Sequence, residues 1–156
     1  MLTIGTKAPA FSLPNQNGES VSLEQLKGKW VVLYFYPKAL TPGCTVQACA
    51  LAQHKQDLDA LNAVAVGVSA DRAALLKRFE EKKELNFTLL GDESDNKNML
   101  KSYEAWGLKK FMGREYDGIY RITYIIDPKG VIAHTIEKVK TKTHHEDVID
   151  FLKAQK

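Results

Sequence analysis

The sequence predicts an α/β fold in which a central mixed β-sheet carries helices on both faces and a hairpin lies at the N-terminus. Two apolar runs, residues 30–36 and 63–69, lack the polar alternation of a half-exposed strand, so both are expected near the centre of a sheet. Helical periodicity separates these runs from each other and from the next strand, as parallel strands require. A tight turn at 127–130 then joins two later strands as an antiparallel hairpin, which makes the sheet mixed.

Ahead of the first central strand, the sequence predicts a short hairpin. Residues 10–14 and 19–23 flank the turn-type cluster Asn-Gln-Asn-Gly at 15–18. Ser22 and Gln25 have the spacing of a capping box, which predicts one helical turn directly after the hairpin.

The remaining elements alternate between strand and helix. Thr41 suits a helix N-cap and Pro42 suits the first helical position, so a helix is predicted from there to about Leu61. The other predicted elements are a strand at 63–69, a helix at 71–85, a strand at 87–90, a helix at 95–106, an irregular loop at 107–118, strands at 119–126 and 131–139, and a last helix capped by Thr143 and Glu146. This order is thioredoxin-like, and without repeats, linkers or low-complexity tracts a single domain over residues 1–156 is expected.

Length and composition limit the class of protein. A chain of 156 residues can bury a sizeable core, and 44% hydrophobic with 26% charged residues is ordinary for a globular protein. The net charge of +3 is spread along the chain without a basic stripe interleaved with aromatics, which argues against nucleic-acid binding. With no apolar run of about 18 residues and no signal-peptide pattern, we expect no membrane association and a cytoplasmic location.

The two cysteines, Cys44 and Cys49, follow the first apolar run and are the only ones in the chain. In a reducing compartment such cysteines are more often catalytic, redox-active or metal-binding than a structural disulfide. With Thr41 as N-cap, Cys44 is the third helical residue, where free backbone N–H groups and the helix dipole favour the reactive thiolate. Gly43 lets a ligand approach the backbone closely. The alternative is that Cys44 is a small core residue, but the cap, the Pro-Gly pair and the second cysteine together favour a reactive thiol.

The spacing of the two cysteines has a mechanical consequence. In an ideal helix, five residues separate two Cα atoms by roughly 8–9 Å, whereas a disulfide requires less than about 7 Å. Cys44 and Cys49 therefore either never pair, or pair only when the first turns of the helix unwind.

Arg121 is predicted to lie inside an apolar strand, where an unpaired buried cation is costly. It must reach either solvent, as a snorkelling side chain, or an anion, for which the Cys44 thiolate is the candidate. His54 does not share one helix face with the two cysteines, so no zinc site is expected. His144 and His145, in the first turn of the last helix, are expected to be solvated.

Pro37, Thr41 and Cys44 are spaced as Pro-x-x-x-Thr-x-x-Cys, which resembles the active-site signature of the peroxiredoxins. The continuation to Cys49 resembles the Q-type branch of that family, also called bacterioferritin comigratory protein. The resemblance covers nearly the whole chain. Further matching segments are Gly-x-x-Ala-Pro-x-Phe-x-Leu-Pro at 5–14, Tyr-Phe-Tyr-Pro-Lys at 34–38, Asn-Phe-Thr-Leu-Leu at 86–90, and the strand containing Arg121.

The resemblance implies a role for each matching residue. Cys44 would attack the O–O bond of a peroxide and become a sulfenic acid. Thr41 would hydrogen-bond the substrate oxygen and the thiolate, and Arg121 would stabilise the thiolate and the charge that develops on the substrate. The backbone N–H groups of Gly43 and Cys44 would hold the peroxide. Pro37 would shield the site from water.

The resemblance also implies how the enzyme would be regenerated. Cys49 would be the resolving cysteine, forming an intramolecular disulfide with Cys44 after local unfolding, and thioredoxin or a similar dithiol protein would reduce it. The substrates would be hydrogen peroxide and organic hydroperoxides. No metal, haem or flavin is implied, and a monomer is expected because both cysteines lie on one chain. Many family members carry an acidic residue where this chain has Gln47, which implies an effect on tuning or partner docking.

Two other functions are compatible with the predicted fold. A thioredoxin-like disulfide oxidoreductase would need Cys-x-x-Cys, whereas four residues separate Cys44 from Cys49 here. A non-catalytic, chaperone-like module would use both cysteines only for packing.

Overall fold

Five strands form a mixed sheet at the centre of the protein, whose computed structural model describes residues 1–155. In chain order the elements are β1 (Ser12–Pro14), β2 (Ser20–Ser22), a 3-10 turn (Glu24–Leu26), β3 (Trp30–Phe35), α1 (Pro42–Gln53), α2 (Lys55–Ala60), β4 (Ala63–Ser69), α3 (Ala73–Lys83), β5 (Thr88–Gly91), α4 (Asn98–Ser102), β6 (Trp106–Phe111), β7 (Arg114–Ile119), β8 (Thr123–Ile126), β9 (Ile132–Ile136) and α5 (His144–Lys153).

The central sheet has the strand order β5-β4-β3-β8-β9. Strands β3, β4 and β5 are parallel, whereas β8 is antiparallel to β3, and β9 is antiparallel to β8. Helical crossovers join the parallel pairs, and a tight turn joins β8 to β9, as the apolar runs and the turn signal indicated. The prediction of a central mixed sheet is confirmed.

Both faces of the sheet are covered, because the side chains of β3 alternate between two apolar clusters. Val31, Leu33 and Phe35 pack on one face with α4 and the N-terminal segment. Val32 and Tyr34 pack on the other face with α1, α2, α3 and α5. The unbroken apolar run of the first central strand is thus explained by burial on both sides.

The N-terminal hairpin is also confirmed. β1 and β2 pair antiparallel, with Ser12 opposite Ser22 and Pro14 opposite Ser20. The capping box forms reciprocally, because Gln25 Oε1 accepts the Ser22 N–H and Ser22 Oγ accepts the Gln25 N–H, each at 3.3 Å.

The long helix predicted to run from Pro42 to about Leu61 is wrong in one respect: it is broken at His54 into α1 and α2. The His54 ring Nδ1 lies 2.9 Å from the carbonyl oxygen of Ala50, which is the usual acceptor for the His54 backbone N–H. That N–H instead bonds the Leu51 oxygen at 3.2 Å. A side chain that takes a helical acceptor in this way interrupts the helix.

The helix predicted at 95–106 is shorter than expected, covering only Asn98–Ser102. The Asp92 carboxylate fixes its start by accepting the N–H groups of Met99 and Leu100 at 3.1 and 3.3 Å. Glu104 takes a left-handed backbone conformation (φ 55°) just beyond the last turn. The capping box predicted at the last helix does not form either, because the Thr143 side chain makes no cap hydrogen bond.

The prediction of an irregular loop at 107–118 is wrong, because β6 and β7 form a two-stranded antiparallel hairpin there. Met112 and Gly113 turn the chain with positive φ values of 52° and 79°. Most side chains of both strands are exposed, so no apolar alternation marks them in the sequence. The strand predicted at 119–126 correspondingly begins only at Thr123, and Arg121 lies in the segment before it.

No helix within residues 1–155 is both long enough and apolar enough to cross a membrane.

Replacing Gly91 with alanine is expected to destabilise the fold, because the new Cβ would overlap the backbone oxygen of Asp71. Overpacking of this kind costs about 1–3 kcal/mol. The matched control is Gly118→Ala, whose Cβ meets the flexible Lys109 side chain at 3.0 Å and should cost less. Chemical denaturation measures both free energies of unfolding, and equal losses would contradict the expectation.

Candidate active site

Cys44 is the third residue of α1, and its side chain is buried, with 1% of the residue exposed. The first helical hydrogen bond runs from the Thr45 N–H to the Thr41 carbonyl at 2.9 Å. The N–H groups of Gly43 and Cys44 have no partner within residues 1–155. The cysteine sulfur therefore sits at the positive end of a helix, beside two unused backbone donors.

Thr41 occupies the N-cap position with an extended backbone (φ −81°, ψ 155°), but its side chain does not cap the helix. Its hydroxyl donates to the Lys38 carbonyl at 2.7 Å. The predicted N-cap position is thus correct, and the predicted capping bond is not made. Because its proton is committed to Lys38, the Thr41 oxygen presents only lone pairs to the site.

Hydrogen bonds to Asp71 connect the loop before α1 to the end of β4. The Asp71 carboxylate accepts the Ala39 N–H at 2.8 Å and the Ser69 hydroxyl at 2.9 Å. This contact fixes the turn that carries the Lys38 carbonyl and hence the Thr41 hydroxyl. Pro37 begins the same loop and is exposed.

The sheet topology brings Arg121 to Cys44. Tyr34, near the end of β3, is opposite Thr123, the first residue of β8, so the chain leaving β3 and the chain entering β8 meet at one edge. Arg121 Nη2 lies 3.4 Å from Cys44 Sγ. A Cβ added at Gly43 would stand 3.4 Å from the same nitrogen, an ordinary contact distance, so the guanidinium lies directly against the first turn of α1. Of the two destinations that the sequence left open for Arg121, the structure shows the cysteine.

A buried network continues from Arg121. Its Nη1 donates to Gln47 Oε1 at 2.9 Å, and Gln47 Nε2 lies 3.3 Å from His144 Nδ1. His144 Nε2 in turn lies 2.8 Å from Thr123 Oγ1. Gln47, His144 and Thr123 are fully buried. Four hydrogen bonds therefore link the Cys44 sulfur to the start of β8.

The expectation that His144 is solvated is wrong. Burial, together with the neighbouring His145 and Arg121, lowers the pKa of His144 to about 4, because a further positive charge there is unfavourable. His144 is therefore a neutral imidazole at ordinary pH. His145 is only partly buried, and its ring packs on the ring of His54, with centroids 4.5 Å apart.

Tyrosine rings lie beneath this network. The Tyr34 ring centroid is 5.9 Å from that of His144 and 5.5 Å from that of Tyr36. Burial raises the pKa of Tyr34 well above its usual value, and Tyr36 and Cys44 reinforce the shift. The Tyr34 and Tyr36 hydroxyls have no hydrogen-bond partner in the part of the chain that the structure describes. The floor of the site is thus uncharged, and Arg121 is the cation that contacts the sulfur.

Cys49 is half-buried, and both cysteines are free thiols. They lie on the uninterrupted helix α1, where residues five apart are separated by roughly 8–9 Å between Cα atoms. The intact helix therefore keeps the two sulfurs from bonding. No cluster of three or more metal-ligating side chains exists among residues 1–155.

Periodicity could have identified the buried positions of Gln47 and His144, two of the network residues that sequence reasoning missed. Gln47 is three residues after Cys44 and four before Leu51, which places it on the buried face of α1. His144 precedes Val148 by four residues, so it continues the buried face of α5. A polar side chain on a buried face requires a hydrogen-bond partner, and here Gln47 and His144 are partners of each other.

Comparison with known proteins places this chain in a family. The model of the AhpC/TSA family matches residues 4–135. The peroxiredoxin Bcp of Escherichia coli strain K12 is 47% identical over 152 residues, covering 97% of this chain and 96% of its own.

Solved structures agree with the sequence matches. The bacterioferritin comigratory protein of Xanthomonas campestris, studied for alkyl peroxide reduction, superposes with a TM-score of 0.86 at 29% identity, over 93% of this chain and 91% of that one. The thioredoxin domain of a thiol-disulfide oxidoreductase from Bacteroides vulgatus gives a TM-score of 0.74 at 24% identity, over 97% and 99% of the two chains, which shows the fold alone. The predicted thioredoxin-like fold is confirmed. The chain belongs to the AhpC/TSA family and, within it, to the peroxiredoxins of the bacterioferritin comigratory protein type, which are thiol peroxidases.

Proposed function

We propose that this protein reduces hydrogen peroxide and organic hydroperoxides to water and alcohols, with Cys44 as the attacking nucleophile. The observation that carries the proposal is the contact of 3.4 Å between Cys44 Sγ and Arg121 Nη2 at the start of α1. This contact pairs a buried sulfur with a permanently charged donor, next to unused backbone N–H groups.

The surroundings of Cys44 favour its thiolate, which is the reactive form. Burial alone would disfavour an anion, since an unpaired buried charge is costly. The Arg121 guanidinium and the N-terminus of α1 offset that cost, because both place positive charge beside the sulfur. The neutral tyrosine floor adds no competing anion.

The same groups would hold a peroxide for in-line attack. The lone pairs of the Thr41 oxygen would accept the peroxide O–H, while Arg121 and the N–H groups of Gly43 and Cys44 would donate to its oxygens. The thiolate forms an S–O bond as the O–O bond breaks, and the departing oxygen takes a proton to leave as water or alcohol. Cys44 is left as a sulfenic acid. Pro37, exposed at the start of the loop, would limit access of water.

Cys49 would resolve the sulfenic acid by attacking its sulfur, so that an S–S bond forms and water leaves. This step requires α1 to unwind, because the two sulfurs cannot meet on an intact helix. The helix is suited to opening: its buried residues are Cys44, Gln47, Ala48 and Leu51. Leu51 is the only large apolar side chain among them and contributes about 2 kcal/mol, and helices of about 12 residues are marginal by themselves.

An external dithiol would complete the cycle. Thioredoxin, or a similar dithiol protein of the reducing cytoplasm, would attack the Cys44–Cys49 disulfide and release both thiols by exchange. Both cysteines lie on one chain, which supports a monomeric enzyme, because no second subunit is needed to supply the resolving thiol. The alkyl peroxide reduction studied in the Xanthomonas campestris relative supports organic hydroperoxides as substrates beside hydrogen peroxide.

A coupled assay tests the function directly. The purified protein, with thioredoxin, thioredoxin reductase and NADPH, is expected to oxidise NADPH when hydrogen peroxide or an alkyl hydroperoxide is added. Cys44→Ser removes the nucleophile and should reduce this rate to background. A rate at background for the unaltered protein with both peroxides would sink the proposal, and retained turnover by Cys44→Ser would move the nucleophile elsewhere.

The resolving role of Cys49 is tested by Cys49→Ser. This variant should still consume about one equivalent of peroxide in a single turnover, because Cys44 remains. It should then recycle poorly with thioredoxin, since no intramolecular disulfide can form. Quenched single-turnover and steady-state measurements separate the two steps, and normal steady-state cycling would remove Cys49 from the mechanism.

Arg121→Lys tests whether the fork of the guanidinium matters beyond its charge. Lysine retains the charge, but its ammonium lacks the planar pair of nitrogens with which Arg121 contacts Cys44 Sγ and Gln47 Oε1 separately. We expect the second-order rate of Cys44 oxidation to fall by about 10²–10³, which is typical when one preorganised donor is lost. A rate within twofold of the parent would show that charge alone suffices.

Oxidation is expected to change the secondary structure. A Cys44–Cys49 disulfide forms only if the first turns of α1 unwind, so the oxidised protein should show less helical circular dichroism than the reduced one. Cys49→Ser, treated with the same peroxide, is the control that cannot form the disulfide. Superposable spectra of the two redox states would contradict the unwinding step.

A further inference from the structure

Arg121 fixes the orientation of the Gln47 amide. A guanidinium group only donates hydrogen bonds, so the Gln47 atom that lies 2.9 Å from Arg121 Nη1 must be the amide oxygen. The amide nitrogen then faces His144 Nδ1 at 3.3 Å and donates to it. The direction of the network from Arg121 to His144 is therefore determined without reference to hydrogen positions.

The orientation of Gln47 in turn determines the tautomer of His144. Because Nδ1 accepts from Gln47, the ring proton resides on Nε2, which donates to Thr123 Oγ1 at 2.8 Å. The lowered pKa of His144 agrees with this neutral form. Every bond from Arg121 to Thr123 thus runs in one direction, and each donor has an acceptor.

We propose that His144 is a positioning residue of this site, whose neutral Nε2–H tautomer holds the Gln47 amide and, through it, the Arg121 guanidinium against Cys44. The proposal rests on the proposed function only in assigning the nucleophile to Cys44. It concerns a side chain on α5, 97 positions along the chain from Gln47, which lies outside the active-site signature.

The groups around His144 leave Gln47 and Thr123 as its two ring partners. From its own helix the neighbour is His145, whose ring packs on His54. From β3 the Tyr34 ring faces it at 5.9 Å between centroids, and Arg121 approaches from the segment before β8. Arg121 only donates, and the Tyr34 hydroxyl makes no hydrogen bond among the described residues, so neither takes the ring proton from Thr123.

The network requires a side chain at position 47 that both accepts and donates a hydrogen bond, as glutamine does. A carboxylate there would accept from Arg121 as glutamine does, but it could not donate to His144. The imidazole would then have to carry a proton on Nδ1, as the other tautomer or as an imidazolium. The carboxylate would also share the charge of Arg121, whereas the neutral Gln47 leaves that charge to Cys44.

The proposal is tested in a Cys49→Ser background, where Cys44 is the one remaining thiol. Ultraviolet absorbance of the thiolate is recorded against pH, together with the second-order rate of oxidation by hydrogen peroxide. His144→Leu removes the acceptor for Gln47 and should move the thiolate titration to higher pH, with a roughly three- to tenfold lower rate at mildly acidic pH. His144→Asn keeps an acceptor oxygen near the Nδ1 position and should stay closer to the parent.

A second variant keeps the proposal testable if His144→Leu does not fold. Thr123→Val preserves side-chain size and removes the acceptor for Nε2–H, so it should move the titration in the same direction by a smaller amount. Nitrogen chemical shifts of His144 in the parent protein should identify the Nε2–H tautomer.

An Nδ1–H tautomer would overturn the proposal, and so would titrations of His144→Leu and Thr123→Val that superpose on the parent. A purely structural role would lower the unfolding free energy without moving the titration. The titration requires no turnover, so its outcome is separate from that of the proposed function, which the coupled peroxidase assay tests.

Discussion

The structure depends on one contact, the pairing of Arg121 with the sulfur of Cys44 at the first turn of α1. The antiparallel pairing of β3 with β8 makes it possible, because the chain leaves β3 and enters β8 at the same edge of the sheet. A thiolate buried under α1 would be unfavourable without that cation. The partly buried Arg121 in turn needs acceptors for its N–H groups, and the Cys44 sulfur and the Gln47 oxygen supply them.

The contact between Arg121 and Cys44 also links the oxidation of Cys44 to the opening of α1. In the proposed cycle, attack on peroxide turns an anionic sulfur into a neutral sulfenic acid, so the electrostatic part of its attraction to Arg121 is lost. α1 then retains the buried Leu51, a few small side chains and the Gln47 hydrogen bonds. The proposed cycle would therefore hold the helix most firmly while Cys44 is a thiolate and least firmly when Cys44 must reach Cys49.

Much of the fold and the principal site residues could be predicted from the sequence, and the misses have physical causes. The buried strands and the loop before Cys44 carry strong local signals, namely unbroken apolar runs and a Thr-Pro-Gly helix start. The hairpin at 106–119 was missed because most of its side chains are exposed and no apolar alternation reports it. His144 was misjudged because a histidine near a helix start reads as polar surface, whereas its partners, Gln47 and Thr123, lie far away in sequence.

The proposed cycle requires α1 to open independently of the sheet beneath it, and native-state hydrogen exchange of the reduced protein measures this opening most directly. Amides of α1, such as those of Thr45 to Gln53, should exchange through a local opening whose free energy is well below that of global unfolding. Amides of β3 and β4 should exchange only on global unfolding, as expected for central strands. Equal opening free energies for α1 and these strands would contradict the account.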